Sequence, residues 1–357
     1  MRARIKPKDI DVPEDNPFQY DALDRKGTVE ILARLIVSIE GPGVVGIDAD
    51  WGNGKTTFLR MLHQFLAKRR VPVVSFNAWE SDYVSDPFTA IVTELTDALE
   101  EYANEPGAEI ATTIKTGLVH AKAVIKARAP TMLRSLVAEV PVAGKALEEV
   151  VAGFADSQED DRITAYREAR KSVEEFSTVL EDIARLVPTG IEHGPLVVMI
   201  DELDRCRPSY AVELLEVAKH LFAVDGVVFV IAVNRSELAH SVQALYGQGF
   251  DAKGYLGRFF DVDFRLPDSD RSRFIKDVID AVGIRAYLGR TADQSGSNEL
   301  LTLMSMLEAF FGEPVISLRT AARAIHHLGV VYAALADGKL VLGTTTAILA
   351  RILHERS

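Results

Sequence analysis

The chain has 357 residues, of which 48% are hydrophobic, with 40 Lys and Arg against 52 Asp and Glu and a formal net charge of −12. That much apolar material supports one large α/β domain and a smaller helical one, while the acidic balance speaks against wholesale wrapping of nucleic acid. The lone cysteine, Cys206, excludes an intramolecular disulfide, suits a reducing compartment and reads as a packed thiol.

The basic start, Met1 to Pro7, lacks the apolar stretch of a secretory signal. No window of about 18 uncharged apolar residues occurs, so the expectation is a cytoplasmic protein without a transmembrane segment. Apolar positions Val29, Leu32, Ala33, Leu35, Ile36 and Ile39 predict an amphipathic helix over residues 28–40. Val44–Ile47 predicts a buried strand, Val71–Phe76 a second one, and Asp86-Pro87-Phe88 opens a helix with Pro in its first turn. From about 105 to 190 the pattern is helical without strand candidates. There Lys115, Lys122 and Lys126 share one face, and Glu109 to Glu139 encloses five Lys or Arg and no acid. Two readings stay open for this stretch: a solvated helix face, or contact with an anionic membrane or nucleic acid through residues 114–134. The acidic run Asp156–Asp161 reads as a linker.

Leu196–Ile200 and Val227–Val233 are continuous apolar runs of the kind buried on both faces of a parallel sheet, and Val262–Pro267 closes the sheet. Beyond Pro267 the chain is helical, with Leu318, Ala321, Ala322, Ile325 and Leu328 at helical spacing, a polar loop over 289–298 and a last helix over 346–354. The alternation predicts a three-layer α/β fold with a mostly parallel sheet, a helical insertion and a C-terminal helical lid. The expected divisions are 1–104 and 191–267 for the two halves of the core, 105–190 for the insertion and 268–357 for the lid.

Between the first strand and its helix lies Ala49-Asp50-Trp51-Gly52-Asn53-Gly54-Lys55-Thr56, followed by Thr57. The spacing is that of a P-loop, in which glycines turn backbone N–H groups toward phosphates and the helix that follows points its positive end at the anion. Lys55 would reach the outer phosphates and the Thr56 hydroxyl would hold Mg²⁺. The distant partner is Asp201-Glu202 at the end of the third strand: Asp201 would position Mg²⁺ and Glu202 would polarise the attacking water. Asn234 ends the next strand and reads as a γ-phosphate sensor, a helix cap, or both.

These residues, taken together, resemble the KAP family of P-loop NTPases, a group within the STAND and AAA+ assemblage. The resemblance rests on Asn16-Pro17-Phe18 with Asp21-Ala22-Leu23-Asp24-Arg25, on Trp51-Gly52-x-Gly54-Lys55-Thr56, and on Val74 to Glu80 with its Asn-x-Trp ending. It extends to Asp201-Glu202-Leu203-Asp204-Arg205-Cys206 and Tyr255-Leu256-Gly257-Arg258-Phe259-Phe260. The chain departs from the family pattern in opening its loop with Ala49, in carrying Asp-Glu where many relatives have Asp-Asp, and in lacking transmembrane helices between the two motifs.

The resemblance implies an ATPase that uses Mg²⁺ and couples hydrolysis to a conformational cycle and a protein partner from a multi-gene system, with phage defence or plasmid functions as settings. The competing reading is a slow or non-hydrolysing switch that scaffolds an assembly; a small-molecule kinase is third. Arg258 resembles a finger acting across a subunit interface, which would make the protein a homo-oligomer, and Arg319 a second sensor within the chain. Each has the plainer reading of a salt-bridged surface arginine. Arg205 and Arg207 would serve likewise or neutralise Asp201, Glu202 and Asp204. Trp51 and Trp79 read as structural or as part of the nucleotide mouth, and His326-His327 as a packed or surface pair.

Overall fold

The computed structural model describes residues 10–83, 86–103, 194–221, 223–268, 271–286, 298–313 and 316–334, with position 119 and parts of 174–185. The basic helix face of 114–134, the acidic run, most of the polar loop after 289 and the last predicted helix lie outside them.

Five strands form one sheet: β1 (Gly43–Asp48), β2 (Val73–Asn77), β3 (Leu196–Asp201), β4 (Val227–Val233) and β5 (Val262–Arg265). Their order is β2-β3-β4-β1-β5 and every pairing is parallel. Strand β2 starts two residues later than its apolar run, because Pro72 has no N–H for the ladder. Its carbonyl still accepts from the Val197 N–H at 2.9 Å. The registers Asn77↔Asp201 and Asp48↔Val233 line up the carboxyl ends of four strands along one edge.

The helices in chain order are α1 (Lys26–Val37), α2 (Lys55–Ala67), α3 (Pro87–Ala103), α4 (Pro208–Leu221), α5 (Arg235–Tyr246), α6 (Ala252–Leu256), α7 (Arg271–Val282), α8 (Asn298–Gly312) and α9 (Leu318–Ala334). Helix α1 begins two residues earlier than its apolar spacing predicts. Asp21 Oδ2 accepts the Lys26 N–H at 2.9 Å, satisfying one of the donors a helix start leaves open.

The chain divides into two compact units. One comprises Met1–Glu30, Asp50–Met61 and Leu266–Ser357; the other comprises Ile31–Ala49 and Leu62–Arg265. The second unit holds the sheet. Strand β4 is buried throughout, and β1 and β3 up to their last residue. Helix α3 packs on β2 and α4, and α4 on α5. Phe176, Leu180 and Ile183, from the described part of 174–185, enter the same core.

Gly46 in β1 lies under the Phe260 ring, on which the Arg235 guanidinium stacks at 4.3 Å. A methyl at position 46 would come within 2.6 Å of Phe260 Cδ1 and 3.1 Å of Arg235 Nη2. Gly46→Ala is therefore expected to lower stability by about 1–3 kcal/mol, read as a shift in the denaturant midpoint. An unshifted midpoint would mean that the ring moves aside at no cost.

In the first unit α7 packs against α8 and α9, with Ile275, Ile279, Leu307, Phe311, Ile325 and Tyr332 at the centre. All five residues of the predicted apolar series from Leu318 to Leu328 are buried. Arg271, itself buried, donates to the Glu313 carbonyl at 3.0 Å and also to that of Ile316, which fixes the approach to α9.

Candidate functional site

The loop between β1 and α2 is built so that its carbonyls have donors on the protein side. Gly52 and Gly54 have φ of 79° and 82°, a region that L side chains enter only under strain. The Gly52 carbonyl accepts the Arg319 N–H at 3.1 Å and the Asn53 carbonyl accepts Arg25 Nη2 at 3.1 Å. Asp50 accepts the Asn53 N–H at 3.3 Å, and Gly54 begins the helical ladder by accepting from Phe58 at 3.0 Å. Helix α2 then opens on Lys55, Thr56 and Thr57, whose N–H groups fall in the first turn, where a helix supplies no internal acceptor. Lys55 is 9% exposed. At Gly52 an added Cβ would lie 2.8 Å from Arg319 Cβ and 2.9 Å from Ser317 Oγ.

The sheet's carboxyl edge, in the second unit, carries the acidic pair Asp201-Glu202. Asp201 is the last residue of β3; its Oδ1 accepts the Glu202 N–H at 2.8 Å, and its carbonyl accepts the Ala78 N–H at 3.0 Å. Glu202 stands at φ 60°, ψ 22°, a left-handed conformation for a residue with a side chain. That kink breaks the strand and starts the single 3-10 turn Leu203–Arg205. Glu202 Oε1 lies 2.7 Å from Arg205 Nη1. Asn234 follows β4 and caps α5: its Oδ1 accepts from the Ser236 and Glu237 N–H groups at 3.1 and 3.3 Å. Asp48, at the end of the neighbouring β1, takes the Arg235 N–H at 3.0 Å.

A model of the KAP family P-loop domain matches residues 25–335. The chain belongs to the KAP family of P-loop domains. It is also similar to the Phage T7 exclusion protein of Escherichia coli, at 23% identity over 269 residues, which is 72% of this chain and 34% of that relative. It thus spans about a third of the relative's length. A solved structure of the Aeropyrum pernix ORC2 protein, in ADPNP and ADP complexes, aligns with 94% of this chain and 69% of that one, at 12% identity and a TM-score of 0.41.

Within the KAP chain the other predicted residues fall as follows. Arg319 is the second residue of α9; its backbone N–H donates to the Gly52 carbonyl, and its Cβ lies against the same glycine. Arg258 is exposed in the turn after α6, next to buried Phe259 and Phe260. Arg205 pairs with an acid of the motif, Glu202, while the Arg207 backbone N–H and Nε donate to Asp82 at 3.0 and 2.9 Å. Trp51 and Trp79 are not core residues; they are 44% and 53% exposed. His326 Nδ1 lies 2.9 Å from the Ala322 carbonyl, within its own helix. Cys206 is buried, its Sγ 3.7 Å from the Glu202 carbonyl, and burial with the surrounding acids pushes the thiol up to about 12. It stays protonated and unreactive at neutral pH.

A nucleoside triphosphate fits the loop, because its two glycines hold conformations that expose backbone N–H groups and Lys55 is held at the start of α2. Mg²⁺ takes hard oxygen ligands, and the loop itself offers the Thr56 hydroxyl. Among the described residues no cluster of three or more His, Cys, Asp or Glu could hold a metal alone. Also among the described residues, no helix is long and apolar enough to cross a membrane.

Gly52→Ala forces a Cβ both into a left-handed backbone and against Ser317 and Arg319. The expected result is about 1–3 kcal/mol of lost stability together with loss of nucleotide binding. Thermal melts with and without Mg–ATP would check it; a variant still stabilised by nucleotide as the parent is would mean the loop tolerates the methyl.

Proposed function

We propose that the chain is a magnesium-dependent ATPase that hydrolyses ATP to ADP and phosphate and passes the resulting change to a partner protein. The observation that carries this reading is the pair of left-handed glycines, Gly52 and Gly54, in the loop between a buried parallel strand and a helix that opens on buried Lys55. Membership in a family of P-loop domains supports it.

In this reading the residues Ala49 to Thr57 bind the triphosphate, with the N–H groups of Gly54, Lys55, Thr56 and Thr57 toward the anion. The Lys55 ammonium neutralises the outer phosphates as charge moves onto the leaving oxygen. Thr56 and Asp201 would hold Mg²⁺, which supplies a Lewis acid on the phosphate oxygens. Glu202 orients the attacking water and takes its proton, while Asn234, already committed through Oδ1 to capping α5, has its amide N–H₂ for the γ-phosphate or the water. Arg258, exposed, would act on a neighbouring copy, and Arg319 from within the chain.

The phage exclusion relative supports a role directed at phage, with the partner supplied by a multi-gene system. The single buried thiol suits a cytoplasmic setting. Contact of residues 114–134 with nucleic acid or an anionic membrane is retained as a proposal from charge alone.

A second reading, a slow or non-hydrolysing ATP switch, is favoured by one observation: Glu202 is ion-paired to Arg205. A carboxylate held in that way must exchange the guanidinium for water before it can act as a base. Steady-state phosphate release from purified protein with Mg–ATP, with EDTA and the Glu202→Gln variant as controls, separates the two. Tight binding without release supports the switch; neither binding nor release removes both readings.

A further inference from the structure

Arg25, four residues beyond Asp21 and just ahead of α1, is 4% exposed, a rare position for a cation. Its guanidinium donates through Nη2 to the carbonyl of Asn53, 28 residues away, at 3.1 Å, and lies 6.0 Å from the ring centre of Phe58 in the first turns of α2. Asp21 is held in turn by the Lys26 N–H at 2.9 Å. Burial lowers Arg25 to about 10, against the opposing pull of Asp21 and Asp268, so it is cationic at neutral pH.

The consequence follows from the planarity of the peptide group. In a trans peptide the carbonyl of one residue and the N–H of the next point in opposite directions. A donor that holds the Asn53 carbonyl on the protein side therefore turns the Gly54 N–H to the other side. Gly54 stands at φ 82°, where its peptide has no side chain to restrain it. The carbonyls of Asp50, Gly52 and Gly54 are held by backbone donors. That of Asn53 is held by a side chain, so a single substitution at Arg25 can release this peptide.

We propose that Arg25 is a positioning residue of the phosphate site: by anchoring the Asn53 carbonyl it aims the Gly54 N–H at the bound phosphates, so that the entry segment sets nucleotide affinity without touching the nucleotide. This rests on the nucleotide-binding reading above. The loss of a charged hydrogen bond that fixes one phosphate donor is expected to weaken binding about tenfold or more.

The test is calorimetric titration of the full chain and of Arg25→Met, Arg25→Gln and Arg25→Lys with the magnesium complex of the imido analogue of ATP. Thermal melts and hydrogen exchange over residues 50–57 accompany it. Expected are a dissociation constant raised about tenfold or more in the Met variant, partial recovery in Gln and Lys, which keep an N–H donor, and faster loop exchange at a similar melting temperature. A purely structural role would lower the melting temperature and the active fraction while leaving the affinity of the folded molecules unchanged. Met, Gln and parent binding alike within twofold would overturn the proposal and leave the nucleotide reading standing. All three variants failing to fold would also overturn it, since Arg25 would then be a core residue only. No binding by the parent would remove the underlying reading as well.

Discussion

Lys55→Ala is expected to weaken Mg–ATP binding by about 10- to 100-fold and to abolish measurable turnover. The ammonium sits on a residue only 9% exposed, at the first position of α2 beside the left-handed Gly54. Charge-assisted hydrogen bonds from such a group are worth about 1.5–3 kcal/mol, which brackets the change in affinity. Turnover falls further because the interaction strengthens as charge moves onto the leaving oxygen, and removing one such donor costs about 10²–10³ in rate. Calorimetry and phosphate release measure the two effects separately. An alanine variant that binds within a factor of two of the parent would show that the loop does not hold phosphates through this lysine.

Glu202→Gln should separate binding from chemistry. Glutamine has the shape of glutamate and can occupy the same left-handed backbone at similar cost, so the turn into Leu203–Arg205 is expected to persist. What disappears is the proton acceptor, and with it about 10²–10⁴ in turnover. The ion pair to Arg205 loses its charge, but the glutamine Oε1 still accepts from the Arg205 guanidinium, so a hydrogen bond remains across the turn. Affinity for Mg–ATP is therefore expected to stay within a few-fold of the parent while phosphate release collapses. Equal release by both proteins would place the base elsewhere. Release increased by the substitution would identify the Glu202–Arg205 pair as a restraint rather than a part of the catalyst.

Much of the fold was legible because the sheet's central strands are buried on both faces and so appear as unbroken apolar runs. Leu196–Ile200 and Val227–Val233 carry no polar residue, and the structure places both in the parallel sheet. The loop was legible for a different reason, since Gly52 two residues ahead of Gly54-Lys55-Thr56, between a strand and a helix, has few other uses. What spacing could not convey were contacts between segments remote in the chain. Arg207 reads as a partner of the phosphates or of Asp201, Glu202 and Asp204, and only the folded chain shows its bond to Asp82, 125 residues away. Arg25 reads as one letter of an entry motif, and only the folded chain puts its guanidinium on the Asn53 carbonyl. The tryptophans read equally as structural or as part of a nucleotide mouth. Trp51 and Trp79 follow strand ends, where the chain has already left the sheet, and their exposure sets them outside the core.

The hydrogen bond from the Arg319 main chain to Gly52 bears on how variation at that position is interpreted. Every amino acid except proline supplies the same amide, so swapping the side chain leaves the tether between the last described helix and the loop intact. Variants at 319 other than proline would therefore report on the side chain and leave this amide link in place. That link is recorded instead at its other end, in the demand for a residue without a side chain at 52, where Ser317 and Arg319 crowd the backbone.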